Sequence, residues 1–204
     1  EKETYLNKKE TVESVPEAQL QLSLLDNYDS EFDQYKGSYV AQLKALGAEI
    51  LAQEYKTEYS SWRWEDPEEL AARENDIDAK FAALIPLASA KRDVLDEDLK
   101  REEEKEVNRL QFANLARDYE RWTKHAAENA STHFGFTIHE VTAYKETLDA
   151  EEAGIAAELD TMDTECQKVF QEGLELGVRE NNYTTHNLDS LAACRKQLEA
   201  ALAE

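Results

Sequence analysis

Few of the 204 residues have types and spacings that could carry chemistry. His139-Glu140 opens a zinc-protease-like pattern, in which a second histidine four residues on shares a helix face with the first. Position 143 is Ala, so the second ligand is missing. No Glu-x-x-His precedes any of the four histidines, which removes the di-iron carboxylate bundle. Asp76/Asp78 and Asp93/Asp96/Asp98 look like starts of calcium loops, but neither has the sixth-position glycine or the 12-residue ligand spacing. No glycine-rich phosphate loop and no serine or cysteine nucleophile motif occurs. The expectation is a protein that is not an enzyme, with no cofactor and no metal. Cys166 and Cys194 form no CxxC pair and read as small buried hydrophobes, with a disulfide as the weaker alternative. The sequons at Asn129 and Asn182 come without a secretory signal and read as chance matches.

The remaining candidates are aromatic. Trp62 and Trp64 flank Arg63 in a loop outside any apolar register. They either cap the end of a helical bundle or pack against a partner chain, and they are the candidate dimer contacts. Phe112 and Trp122, ten residues apart, are the candidate core anchors.

Composition says what must position these residues. Six glycines and three prolines are far fewer than an average chain carries, so few turns can be built and long helices are expected. Forty-five acidic against 23 basic side chains give a net charge of −22, spread evenly over both halves. Such a surface repels a phosphate backbone and an anionic membrane, so nucleic acid is excluded as a simple partner. At 41% hydrophobic, the chain is too apolar to be disordered. No apolar run is long enough for a membrane span. A cytoplasmic, reducing location is the default. The chain starts at Glu1 rather than Met, which suggests a piece of a longer protein.

Turn signals cluster near 14–16, 55–67, 131–135 and 177–187. Between them apolar residues recur with a period near 3.5, the mark of packed helices. Over 16–53 one seven-step row reads Leu25, Phe32, Tyr39, Leu46, and its companion reads Leu22, Asp29, Lys36, Leu43, Ile50. Over 136–176 the rows are Val141, Leu148, Ile155, Met162, Val169, Leu176 and Ile138, Lys145, Glu152, Leu159, Cys166. A shift of 116 superposes them, laying Leu22 on Ile138 and Leu43 on Leu159, and the polar interruptions coincide. These in-row ions are either near-surface pairs or devices that fix helix register. Leu70, Ile77 and Phe81 repeat as Leu191, Leu198 and Leu202 at a shift of 121, so the first copy carries about five extra loop residues, within 59–67. Asp66 caps a helix with Pro67 in its first turn. From there to about Asn129 the only breaker is Pro86, which should bend one continuous helix of about 60 residues, roughly 90 Å long. Gly37, Gly47, Gly154 and Gly173 fall inside helices, where they would permit close packing or bending.

Three-helix units of this period joined by a shared helix resemble spectrin repeats. The strings Asp66-Pro-Glu-Glu-Leu70, Leu84-Ile-Pro-Leu87 with Arg92-Asp93, Arg109-Leu-Gln-Phe-Ala-Asn-Leu-Ala116, Trp122 and Asn182-Tyr-Thr184 look more specifically like the rod of the alpha-actinins, and cover nearly the whole chain. The resemblance implies an all-α fold of two tandem three-helix bundles, 1–103 and 104–204, joined by one long helix. The first helix of the first bundle is expected to be incomplete, with Tyr5 or Leu6 standing where Trp122 stands in the second. It further implies a cytoskeleton-associated spacer that pairs with itself as an antiparallel homodimer. Actin would be bound only through domains outside this chain. A four-repeat rod is usual in that family, so two repeats make this a fragment or a short-rod form. A monomeric adaptor that docks other cytoskeletal proteins is the alternative.

Overall fold

The computed structural model describes residues 1–130 and 135–203, and the side chains of all of these except 148–153. The side chains of Leu148 and Glu152 and the turn positions 131–134 therefore lie outside what is described. The protein is almost wholly helical. Among the described residues the helices are α1 (Lys2–Asn7), α2 (Val15–Gln34), α3 (Ala41–Ala52), α4 (Pro67–Ala130), α5 (Ile138–Leu176) and α6 (Leu188–Ala203). A π-helical stretch, Tyr35–Val40, joins α2 to α3. None is long and apolar enough to cross a membrane.

Each start has a chemical cause. Ser14 Oγ accepts the Glu17 amide and Pro16 fills the first turn of α2. Asp66 Oδ1 accepts the Glu69 amide at 3.1 Å to open α4. Thr137 and Glu140 form a reciprocal capping box on α5. Asn187 and Ser190 exchange hydrogen bonds at the head of α6. α5 stops at Gly177, whose φ of +79° is the left-handed turn that glycine adopts without strain.

The chain divides into two compact units, Glu1–Glu102 and Glu103–Glu204. In the first, Leu6, Val12, Ala18, Leu25, Tyr28 and Leu95 form a buried cluster. Leu6, on α1, is 5% exposed. In the second, Phe112, Tyr119, Leu159, Cys166, Leu191 and Leu198 are among the buried residues, and Trp122 packs against them. Helix α4 contributes to both clusters, from Leu84 to Leu99 in one unit and from Phe112 to Ala127 in the other. Each fully buried Leu or Phe is worth about 1.5–3 kcal/mol, so these clusters dominate the stability.

Four expectations need correction. The 55–67 loop is partly a β-hairpin, with β1 (Glu54–Lys56) antiparallel to β2 (Ser61–Arg63). Alternating Tyr, Thr and Trp side chains favour this extended form. The second helix of the first unit is not uniformly α: one turn is π, at Gly37, where poor helix formers cluster. The lower half of its apolar row is not core. Tyr39, Leu43, Leu46 and Ile50 are 40–56% exposed, because α3 packs only on the start of α4 there. Ile138 and Val141, at the start of α5, are exposed as well. Of the four helical glycines, only Gly47 and Gly173 mark close approach. A Cβ at Gly47 would meet Glu74 and Leu70, and one at Gly173 would overlap Asn108, whereas Gly37 and Gly154 face open space.

Candidate functional site

Several residues of the incomplete catalytic and metal motifs hold structural partners. Glu140 accepts hydrogen bonds from Thr137 Oγ1 and from the amides of Phe136 and Thr137. These bonds, the Thr137 hydroxyl first, hold its carboxyl below the usual range. The His-Glu pair thus belongs to a helix cap. Asp76 pairs with Lys80 at 2.7 Å, Asp78 with Lys44 at 2.5 Å and Asp98 with Arg101 at 2.7 Å. Among the described residues no cluster of three or more His, Cys, Asp or Glu could hold a metal. Cys166 and Cys194 are free thiols. Burial, with Asp163 and Glu165 nearby, pushes the Cys166 thiol up to about 11, so it makes a poor nucleophile.

What the structure builds instead is a set of clasps. In the first unit Arg92 of α4 reaches two aspartates of α2 one turn apart, Asp26 at 2.6 Å and Asp29 at 2.8 Å. In the second unit Arg195 of α6 does the same to Asp160 and Asp163 of α5, and also holds Glu199. Both guanidiniums are shifted up by these carboxylate bonds. Asp29, an in-row ion, is thus a bridge between elements, while Lys36 stays exposed above the Phe32 ring. Lys91 is buried, and its ammonium donates to the carbonyls of Tyr5 at 3.1 Å and Lys8 at 2.9 Å. The Tyr5 carbonyl also accepts the Lys8 amide at 3.2 Å, and Lys8 is the residue that ends α1, so the ammonium fastens the C-terminal end of that helix.

The 178–187 loop is tied down similarly. Asn181 donates to the Arg109 carbonyl at 2.8 Å, Arg109 donates to the Glu180 carbonyl at 3.2 Å, and Tyr183 donates to Glu106. The Tyr183 hydroxyl, then Arg109, lowers the Glu106 carboxyl. Burial first, then Asp163, raises the Tyr119 hydroxyl, which stays protonated inside the second core.

The aromatic candidates separate. Phe112 and Trp122 lie in and against the second core, with Phe112 5.6 Å from the Phe170 ring. Trp62 sits in β2 opposite Tyr55 and is 49% exposed. Trp64 follows the strand, 38% exposed, its indole donating to the Asp66 carbonyl at 2.7 Å. Neither belongs to the first-unit core cluster. With Tyr55 and with Tyr59, which is 92% exposed at the tip, they make the hairpin an aromatic projection. A two-stranded hairpin with every residue exposed has little of its own to hold it. Sequence reasoning found the tryptophans but missed the strand pairing, for which the alternation of Tyr55, Thr57 and Tyr59 was the available signal. It also missed Lys91, whose role depends on backbone carbonyls that no side-chain pattern reveals. Neither a family model nor a curated protein matches the chain.

Proposed function

We propose that the chain is a non-catalytic spacer of the alpha-actinin-rod kind, two spectrin-like repeats that pair with a second copy in antiparallel fashion. In the longer protein it would hold actin-binding domains apart within the cytoplasmic cytoskeleton. The observation that supports this reading most is α4, a 64-residue helix that supplies the last helix of one unit and the first of the next. A helix that continues from one unit into the next, with no loop between them, is what a spacer of tandem repeats requires. The aromatic hairpin supports self-pairing, because exposed Trp and Tyr clusters are costly in water and concentrate at interfaces.

Sedimentation equilibrium at micromolar concentrations tests the reading. The expected result is a mass rising from one chain to two with concentration. Trp62→Ala with Trp64→Ala should keep the helicity and weaken the association at least tenfold. The chain alone should not co-sediment with filamentous actin. A strictly monomeric chain overturns the pairing and leaves the adaptor reading. Unchanged pairing in the double variant moves the interface away from the hairpin.

A further inference from the structure

Among the described residues the sheet has two strands, β1 and β2, so each presents one unpaired edge. Every residue of both strands is exposed. A sheet of two strands is marginal in water, and a third or fourth strand stabilises it. The turn fixes what the β1 edge offers. The Thr57 amide donates to the Ser60 carbonyl at 2.7 Å, which makes these two a hydrogen-bonded pair. Hydrogen-bonded and non-bonded pairs alternate along an antiparallel ladder. Lys56↔Ser61 is therefore non-bonded, Tyr55↔Trp62 bonded and Glu54↔Arg63 non-bonded. The amides and carbonyls of Glu54 and Lys56 thus point away from β2, along the open edge.

This edge is complementary to a copy of itself. β1 reads Glu54, Tyr55, Lys56. A two-fold axis through Tyr55 lays a second β1 antiparallel to the first. Glu54 then faces Lys56 of the second copy, and Lys56 faces Glu54 of the second copy. Opposite charges at directly facing positions stabilise a sheet, and like charges destabilise it. The same two pairs are the hydrogen-bonded ones, so every outward amide and carbonyl of Glu54 and Lys56 finds a partner. On the charged face Arg63 of β2 already stands opposite Glu54, so each Glu54 sits between two cations. On the other face Trp62 and Tyr55 of both copies form one aromatic row. β2 lacks this symmetry, because an axis at Trp62 would set Ser61 against Arg63. Two chains of net charge −22 repel, and β1 is an edge whose charges attract its own copy.

We infer that β1 joins β1 of a second copy edge to edge, forming a four-stranded antiparallel sheet in the order β2-β1-β1-β2 with Tyr55 on the two-fold axis. The inference rests on the pairing of copies proposed above, and it specifies the strand, register and symmetry of the hairpin's part in that pairing.

Sedimentation equilibrium and cross-linking of the 204-residue chain test it. Glu54→Lys alone and Lys56→Glu alone make both facing pairs like-charged, and each should weaken association roughly threefold or more. An equimolar mixture of the two variants has opposite charges at both pairs again, and should associate within about twofold of the unsubstituted chain. Tyr55 atoms meet across the axis at a Cα separation of about 4.5 Å, within disulfide reach. Tyr55→Cys should therefore form a disulfide between copies under mild oxidation, above the background that Cys166 and Cys194 give in the unsubstituted chain. Ser61→Cys, exposed on the outer strand, should not. Circular dichroism should show the same helicity in all variants. A chain that stays monomeric overturns the inference together with the pairing. Association that ignores the charge exchange and gives no Tyr55→Cys cross-link overturns the inference alone and leaves the pairing to another surface.

Discussion

Lys91→Met isolates the clasp that fastens the first segment of the chain. The ammonium, with its side chain 4% exposed, donates to the Tyr5 and Lys8 carbonyls, lies 3.8 Å from Glu10 and stands 4.6 Å above the Tyr5 ring. Hydrogen bonds from a charged donor contribute about 1.5–3 kcal/mol each, and the ring contact about 0.5–2. Against this stands the desolvation of the ammonium, several kcal/mol, which Met does not incur. Met also keeps the apolar stem. The remaining penalty is a Lys8 carbonyl that loses its donor, a Tyr5 carbonyl left with the Lys8 amide, and Glu10, 13% exposed, left with Lys8 alone. A net loss of about 2–3 kcal/mol follows for the first unit. Amide exchange is the proper assay, because two units need not unfold in one step. Exchange at Tyr5 and at Val12 to Leu25 should quicken by roughly 30–150-fold, while the second-unit core stays unchanged. Lys80→Met, which breaks an exposed helix pair with Asp76, is the control and should cost under about 0.5 kcal/mol. If Lys91→Met shifts first-unit exchange no more than Lys80→Met does, the clasp contributes nothing and the reasoning fails.

Gly173→Ala should destabilise the second unit by about 1–3 kcal/mol in thermal melts, because the new methyl displaces the Asn108 amide from its 2.9 Å bond to the Val169 carbonyl. Gly154→Ala, facing open space on the same helix, should stabilise by about 0.5–1 kcal/mol. Glu106 and Glu140 have lowered folded pKa values, so their contribution is present above the unfolded carboxyl value and is lost as pH falls through the folded one. Glu140→Ala combined with Glu106→Ala should therefore flatten the second unit's stability loss below about pH 4.5, read by circular dichroism. At pH 8 Cys166, pushed up to about 11, should label with a thiol reagent at least a hundredfold more slowly folded than unfolded, measured by mass spectrometry.

The helices were legible because their signals are local. Ser14, Asp66, Thr137 and Asn187 are side-chain oxygens placed at helix starts, and Gly177 is a left-handed stop. A cap needs only its own neighbours in sequence. The burial of the apolar rows was legible only in part. Leu159 and Cys166 are buried, but Leu43 and Ile50, their counterparts in the repeat, are not. Periodicity states which face is apolar, and tertiary packing decides whether anything covers it. The hairpin left only a weak signal, the alternation of Tyr55, Thr57 and Tyr59, because its residues bury nothing and β-propensity reports half-buried surfaces. Trp62 and Trp64 stood out by type and by falling outside the apolar register, which left a bundle-end cap and an interface open; their exposure is a tertiary fact.

The clasps make sense of the acidic composition. With nearly two carboxylates for every cation, few basic groups are available to organise the fold, and each well-placed one serves several acceptors. Arg92 holds two aspartates across elements, Arg195 holds two and a glutamate of its own helix, and Lys91 holds two carbonyls. Placing the cations between helices concentrates attraction inside each unit. The outer faces keep an excess of negative charge that repels over about 10 Å at 0.1 M salt. Two such surfaces can associate only where apolar area is locally large enough to outweigh that repulsion. On this chain the α3 strip and the aromatic hairpin are two places that offer it.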